Sequence, residues 1–284
     1  MQDFGGLRAV VTSVDKLRVL EQNYQKSRFK HELVSCKDYV SFPKDSGYRS
    51  IHLVYKYKNP AATAYDGLYV ELQLRTKLQH AWATSVETMG TFLDQALKSS
   101  EGHGIWLNYF ALCGAAFAHL EKTPCHKGYA ELPAEEIYDA LLSMNEELQV
   151  IDKLKGFSVA AQNIHQNRRG GAYHLITLKF EERRVSIRSF SRDRLEEASD
   201  RYAELELQRA NGAKIQVVLV SAGSLDNLRK AYPSYFLDTN EFIRYLNVIQ
   251  RRRRAVLTNP SSGRAKRAPL MVDVRCLRER TWTS

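Results

Sequence analysis

The chain has 284 residues, 44% apolar and 26% charged, ordinary values for a globular protein with room for one large or two modest domains. Its net charge of +10 is a property of one end: residues 251–284 hold ten Arg or Lys against Asp273 and Glu279, so the first 250 residues carry only +2. No run approaches the roughly 18 apolar residues of a membrane span, no basic-then-apolar leader opens the sequence, and Cys36, Cys113, Cys125 and Cys276 form no CxxC pair, a pattern that argues against a membrane protein, a disulfide framework and a cysteine zinc site and fits reduced thiols in a cytoplasmic protein.

In chain order, Leu7 to Val11 is a short apolar run fit for a buried strand, preceded by Asp3 and the permissive pair Gly5-Gly6. Ser13 to Tyr24 reads as a helix with Leu17, Leu20 and Tyr24 on one face, and His31 to Cys36 as a second strand. Residues 37–87, KDYVSFPKDSGYRSIHLVYKYKNPAATAYDGLYVELQLRTKLQHAWATSVE, then hold the densest information. A basic loop places Lys37 and Lys44 around a turn shaped by Pro43 and Gly47. After it, Ile51, Leu53 and Tyr55 alternate with Tyr48, Ser50 and His52, and Leu68, Val70, Leu72 and Leu74 with Tyr69, Glu71, Gln73 and Arg75. If these strands pair, an acid, an amide, a guanidinium, an imidazole and a phenol share one polar surface. Thr76-Lys77-Leu78-Gln79 has the form of a capping box, so a helix begins at Lys77, with Leu78, Trp82, Val86, Met89, Leu93 and Leu97 as its stripe and His80 on another face.

Residues 104–121 are apolar nearly all round, the signature of a buried helix. Pro133 opens a long helix to about Lys155, with Ile137, Leu141, Met144, Leu148 and Ile151 as its stripe and Gly156 as its stop. Residues 157–171 read as a linker. Beyond it lie strands Ala172–Phe180 and Val185–Phe190, a helix over Arg194–Arg209, a strand Ile215–Ser221 and helices at 224–231 and 239–250. This order suggests a small α+β domain with a regulatory or packing role. Glu196, Glu197, Asp200, Glu204 and Glu206 read as a solvated helix face. The tail 251–284 is expected to be disordered, and its charge could meet RNA phosphates.

The blocks DxxGxR at Asp3 to Arg8, KDYxxxPKxSGYRSIH and VELQLRTKLQHAWA, in that order, resemble the alarmone synthetase domain of the RelA/SpoT family, over Asp3 to about Lys98. The resemblance implies an α/β (α+β) fold, a nucleotidyltransferase-like mixed sheet with flanking helices. The domains expected with it are a core over 1–122, a helical extension packing on it over 123–157, the α+β domain over 158–250 and the basic tail. It implies ATP and GTP or GDP as substrates, pyrophosphate moving to the 3′-hydroxyl of the guanine nucleotide, and Mg2+ as the metal. By the same resemblance Glu71 is catalytic, and Asp3 and Glu71 bind the metal. Tyr48 stacks on guanine, Lys37, Lys44 and His52 meet its phosphates, and His80 borders the base. Arg8, Gln73 and Arg75 support these groups or face phosphate.

The chain departs from the family where a basic segment that holds ATP precedes the metal-binding acid, since only Met1 and Gln2 stand before Asp3. The expectation is that this chain lacks the donor half of the site, binds guanine nucleotide poorly or moderately and makes little product. It also lacks the His-Asp dyad of the family's hydrolase domain. The reading favoured is a small alarmone synthetase with an added C-terminal domain, compatible with a homo-oligomer. Two alternatives remain beside it: a toxin-type synthetase acting on tRNA 3′ ends, and a non-catalytic guanine-nucleotide-binding protein.

Overall fold

The computed structural model describes residues 5–61, 63–93, 104–166, 171–179, 182, 184–224 and 235–258. Internal contacts divide the chain into two units, residues 1–82 with 108–141, and residues 83–107 with 142–284. No helix among the described residues is long and apolar enough to cross a membrane.

The first unit is built on a four-stranded sheet of β1 (Gly5–Val11), β2 (Glu32–Asp38), β3 (Ile51–Lys56) and β4 (Tyr69–Thr76), in the order β1-β4-β3-β2. β1 runs parallel to β4 and the other two pairs are antiparallel, so the sheet is mixed. Helix α1 (Val14–Lys26) starts where the Ser13 hydroxyl accepts the Lys16 N–H, at 3.3 Å, and carries Asp15 in its first turn. Its Leu17 packs with Ile51, Leu53, Leu72 and Leu74 in one core cluster. These are the apolar alternates expected from the sequence, and their burial turns the other alternates of β3 and β4 to the opposite face.

Helix α2 (Lys77–Leu93) begins on the capping box: the Thr76 N–H donates to Gln79 Oε1 at 3.1 Å and the Gln79 N–H to Thr76 Oγ1 at 3.2 Å. Helix α3 (Gly104–Glu121) is the buried helix expected, with Tyr109, Cys113, Ala115, Ala116 and Phe117 fully enclosed. Gly114 on α3 meets Gly47, which has φ +83° in the basic loop: a Cβ on Gly114 would lie 2.5 Å from the Gly47 backbone. Gly114→Ala therefore pushes on a loop that cannot yield cheaply. We expect it to lower stability by about 1–3 kcal/mol, as overpacking does, measured by urea unfolding; a loss below about 0.5 kcal/mol, the ordinary range for harmless substitutions, would contradict this close packing.

The single helix expected from Pro133 to Lys155 is two: α4 (Ala134–Leu148) and α5 (Val150–Gln166), broken at Gln149 with φ +49°. The break costs about 1 kcal/mol for a residue with a Cβ, but it shifts the helical register. Val150, not Ile151, becomes the buried residue, followed by Leu154, Phe157 and Ala160. Gly156 does not stop the helix, and the linker expected at 157–171 is helical through Gln166. Gly156 lies against β5 (Tyr173–Lys179): an added Cβ would sit 2.7 Å from the Leu178 side chain. Its lack of a side chain serves packing rather than termination.

In the second unit β5, β6 (Arg184–Phe190) and β7 (Ile215–Ser221) form an antiparallel sheet in the order β6-β5-β7. Helix α6 (Leu195–Ala210) closes one face around Leu175, Phe190, Ala198 and Val217. Its acids pair with neighbours one turn away, Arg194 with Glu197, Arg201 with Glu204 and Arg209 with Glu206. Helix α7 (Tyr235–Thr258) buries Phe242, Ile243, Leu246 and Ile249. It is longer than the helix expected at 239–250, and its last turns include Arg251 to Arg254, so the first part of the tail is helical rather than disordered. Residues 259–284, and the helix expected at 224–231 apart from Ser224, lie outside the described residues.

Candidate functional site

The polar face of the first sheet gathers its residues by register. Arg8 of β1 pairs with Gln73 of β4, Gln73 with His52 of β3, and His52 with Lys37 of β2, one row across the whole sheet. Arg8 and Lys37 are exposed at its two ends, with His52 and Gln73 between them half-buried.

Within this face five side chains close a ring of hydrogen bonds. Glu71 Oε1 lies 2.5 Å from His52 Nδ1, and Glu71 Oε2 accepts Gln73 Nε2–H at 2.6 Å. Gln73 Oε1 accepts from Arg75 Nη2 at 2.9 Å, which also donates to the Tyr48 hydroxyl at 2.8 Å. Tyr48 Oη is 2.7 Å from His52 Nε2, completing the circuit. Burial pushes the His52 imidazole below its ordinary value; the Glu71 carboxylate pulls it back up, while the charges of Arg75 and Lys44 add to the depression. The ring is therefore neutral near pH 7. Its Nδ1–H donates to Glu71 and its Nε2 accepts the Tyr48 O–H. The donors then all run one way, from Arg75 through Gln73 on one side and through Tyr48 and His52 on the other, and converge on the two oxygens of Glu71.

Arg75 is the buried foot of this arrangement, 1% exposed, and its Nε and Nη1 have no hydrogen-bond partner among the described residues. Its guanidinium carbon lies 5.3 Å from the Tyr48 ring centroid, so part of its charge faces the π-surface. Tyr39, Tyr48 and His52 meet edge to face, at 5.3 to 5.9 Å between centroids, and Tyr48 meets Trp82 at 6.1 Å. Lys44 reaches over this cluster, its ammonium 4.7 Å from the Tyr39 ring and 5.5 Å from the Tyr48 ring. Because Lys44 is exposed, a flat ligand could take its place above Tyr48 while the ammonium swings to an anionic group.

A second network holds the loop and helix that frame this face. Arg49, 3% exposed, donates through Nη1 to Glu121 Oε2 at 2.8 Å and to Thr123 Oγ1 at 2.9 Å. Glu121 also accepts from Gln79 Nε2 at 3.1 Å and from the Thr76 hydroxyl. The capping box of α2, the end of α3 and the loop before β3 thus share one buried ion pair. The Trp82 indole N–H is tied to the Phe110 carbonyl at 2.9 Å.

Of the residues singled out in the sequence, Tyr48, His52, Glu71, Gln73 and Arg75 are joined directly, with Lys44 over the aromatic cluster and Arg8 and Lys37 in the same row. Gln73 and Arg75 touch the others rather than standing behind them. His80 is half-buried in the first turn of α2. Asp3 lies outside the described residues. Sequence reasoning missed Tyr39, Arg49 and Glu121. The one available signal for Glu121 was an acid ending an otherwise apolar helix.

Residues 1–91 match the family model described as "Region found in RelA / SpoT proteins". The GTP pyrophosphokinase YjbM of Bacillus subtilis strain 168 is 36% identical over 84 residues, 30% of this chain and 39% of that protein. Among solved structures, small alarmone synthetase 1 from Bacillus subtilis bound to its product pppGpp is 27% identical, covering 43% of this chain and 60% of that one, with a TM-score of 0.37. A GTP pyrophosphokinase family protein from Streptococcus pneumoniae is 23% identical over 43% of this chain and 57% of that one, with a TM-score of 0.36. The chain thus spans about two fifths of the curated relative it matches.

Proposed function

We propose, from the premise that residues 1–91 are a region of the RelA/SpoT family, that the polar sheet face is the guanine-nucleotide end of a site transferring diphosphate from ATP to the 3′-hydroxyl of GTP or GDP. The observation that carries this reading is the closed ring around Glu71, beside an aromatic platform topped by Lys44. A carboxylate whose two oxygens each accept one fixed hydrogen bond is held in one orientation, with lone pairs left for the reaction. In the transfer the 3′-oxygen bonds to the β-phosphorus of ATP as the bond to the α,β-bridging oxygen breaks and AMP leaves. Glu71 takes the hydroxyl proton. Tyr48 offers its π-face to guanine, and Lys44, Lys37 and His52 border the acceptor phosphates.

The donor set also suits magnesium. The register partner of Glu71 on β1 is Gly6, and a Cβ there would meet none of the described residues within 4 Å, so they leave room beside the carboxylate for a hydrated cation. Glu71 would hold the ion together with Asp3, the acid the family resemblance names. When bound, magnesium supplies positive charge to phosphate oxygens.

Lys44→Ala tests the acceptor assignment. Loss of a charge-assisted contact to phosphate costs about 1.5–3 kcal/mol, so the affinity for GDP, read by calorimetric titration, should fall about tenfold or more while guanosine affinity changes little. Equal losses for GDP and guanosine, or none for either, would place the acceptor phosphates elsewhere.

A further inference from the structure

The second unit contains a cavity of about 650 Å³, and none of the residues lining it belongs to the first sheet. Phe92 at the end of α2, Trp106 at the start of α3, Lys153 of α5, and Tyr202, Glu206 and Arg209 of α6 line it, with the edge strand β7 along one side. Its size lies within the range of about 300–1,000 Å³ usual for small-molecule sites.

The charges in this cavity do not balance. Its charged lining residues are Lys153, Arg209 and Glu206, and Glu206 is already engaged by Arg209 Nη2 at 2.7 Å. Lys153 has no carboxylate within ion-pair distance among the described residues; its ammonium instead lies 5.2 Å from the centroid of the Trp106 ring. Burial, and then the charge of Arg209, hold Lys153 down to about 8. A half-buried ammonium facing a guanidinium, with the cavity's one carboxylate already engaged by that guanidinium, is unfavourable by itself, and an anion between the two cations would relieve it. A lysine and a guanidinium converging on one space suit a doubly charged oxyanion better than a single carboxylate. The rest of the wall is aromatic, from Trp106, Tyr202 and Phe92, the last held rigid by stacking on Phe157 at 4.3 Å and 3° between planes.

We propose that this cavity binds a small aromatic phosphate, its phosphate group between Lys153 and Arg209 and its ring against Trp106 and Tyr202. The site lies in a different unit from the transfer site and does not depend on that reading.

Pyridoxal 5′-phosphate is a probe of this class with a reporter built in. Incubated with the full chain, it is held by its phosphate on Arg209 while the unprotonated fraction of Lys153, appreciable because burial holds this amine down to about 8, attacks the aldehyde carbon; water leaves, and borohydride then reduces the imine to a stable secondary amine that peptide mapping locates. Lys153 should be labelled about tenfold or more faster than the exposed Lys155, and about tenfold or more faster than by pyridoxal, which has the ring and aldehyde without the phosphate. AMP should protect Lys153 at concentrations where inorganic phosphate does not. Arg209→Gln, at a partly exposed position, should slow the labelling without changing the circular dichroism spectrum. Equal labelling by pyridoxal and its phosphate, labelling of Lys153 no faster than of Lys155, or protection by inorganic phosphate equal to that by AMP would overturn the proposal.

Discussion

Glu71→Gln is expected to lower diphosphate transfer to guanine nucleotide by about three orders of magnitude, within the 10²–10⁴ range of a positioned general base. The substitution changes two things at once. It removes the negative charge that would meet a cation or take the hydroxyl proton, and it gives the ring one donor too many. Glu71 accepts from both His52 and Gln73, so an amide nitrogen in place of one oxygen would face another N–H. Gln73 or His52 must then turn, and the change passes to Tyr48 and Arg75 through their shared hydrogen bonds. Because the site is half-buried and the apolar face of the sheet is untouched, global stability should fall by no more than about 1 kcal/mol, the usual worth of a hydrogen bond. Glu71→Asp keeps the charge but withdraws it by one methylene, and should fall between wild type and Gln. Normal turnover by Glu71→Gln would remove Glu71 from the chemistry.

The largest stability effect should come from Arg49, which touches none of the ring. Arg49→Met leaves Glu121 without its cation in a site where the Arg49 and Glu121 side chains are 2% and 10% exposed. Burial already pushes the Arg49 guanidinium down from its ordinary value, with the Glu121 charge pulling the other way, so the environment tolerates the charge only because the partner is there. Removing one member of such a pair costs about 3–5 kcal/mol. Glu121→Gln alone should also destabilise, and the double variant should lose less than the sum of the single changes, because no uncompensated charge remains. Urea unfolding of the whole chain, followed through tryptophan fluorescence, reads this directly. Strict additivity, or a loss below about 1 kcal/mol, the worth of an ordinary exposed pair, would mean that the pair is not the clamp described above.

What the sequence made legible was local. Alternation in Ile51 to Tyr55 and Leu68 to Leu74 separated the core face from the polar face because side chains alternate along a strand. The capping box at Thr76 to Gln79 was read three residues apart and is found as drawn. The contacts that make the site were not local. Tyr48 and Arg75 are separated by 27 positions and meet only once β3 and β4 adopt their register. Glu121 lies 45 positions from Thr76, and only the packing of α3 brings them together. The errors have the same origin. Gly156 and the composition of 157–171 obey local rules for a stop and a linker, yet α5 continues because Leu178 occupies the space beside Gly156 and the apolar Phe157 and Ala160 can be buried. Gln149 carries no local mark of a break, and its positive φ is fixed by which of Val150 and Ile151 packs inward.

On the proposal above, the polar sheet face is where a guanine nucleotide accepts diphosphate. Incubating the chain with magnesium, ATP labelled at the β-phosphate, GDP or GTP, and in a parallel reaction tRNA, tests it most directly. A low yield of labelled guanosine 3′-diphosphate product is expected, with AMP released in equal amount and both lost with Glu71→Gln. Label that enters tRNA while GDP and GTP stay unmodified, or guanosine product formed equally well by Glu71→Gln, would contradict it.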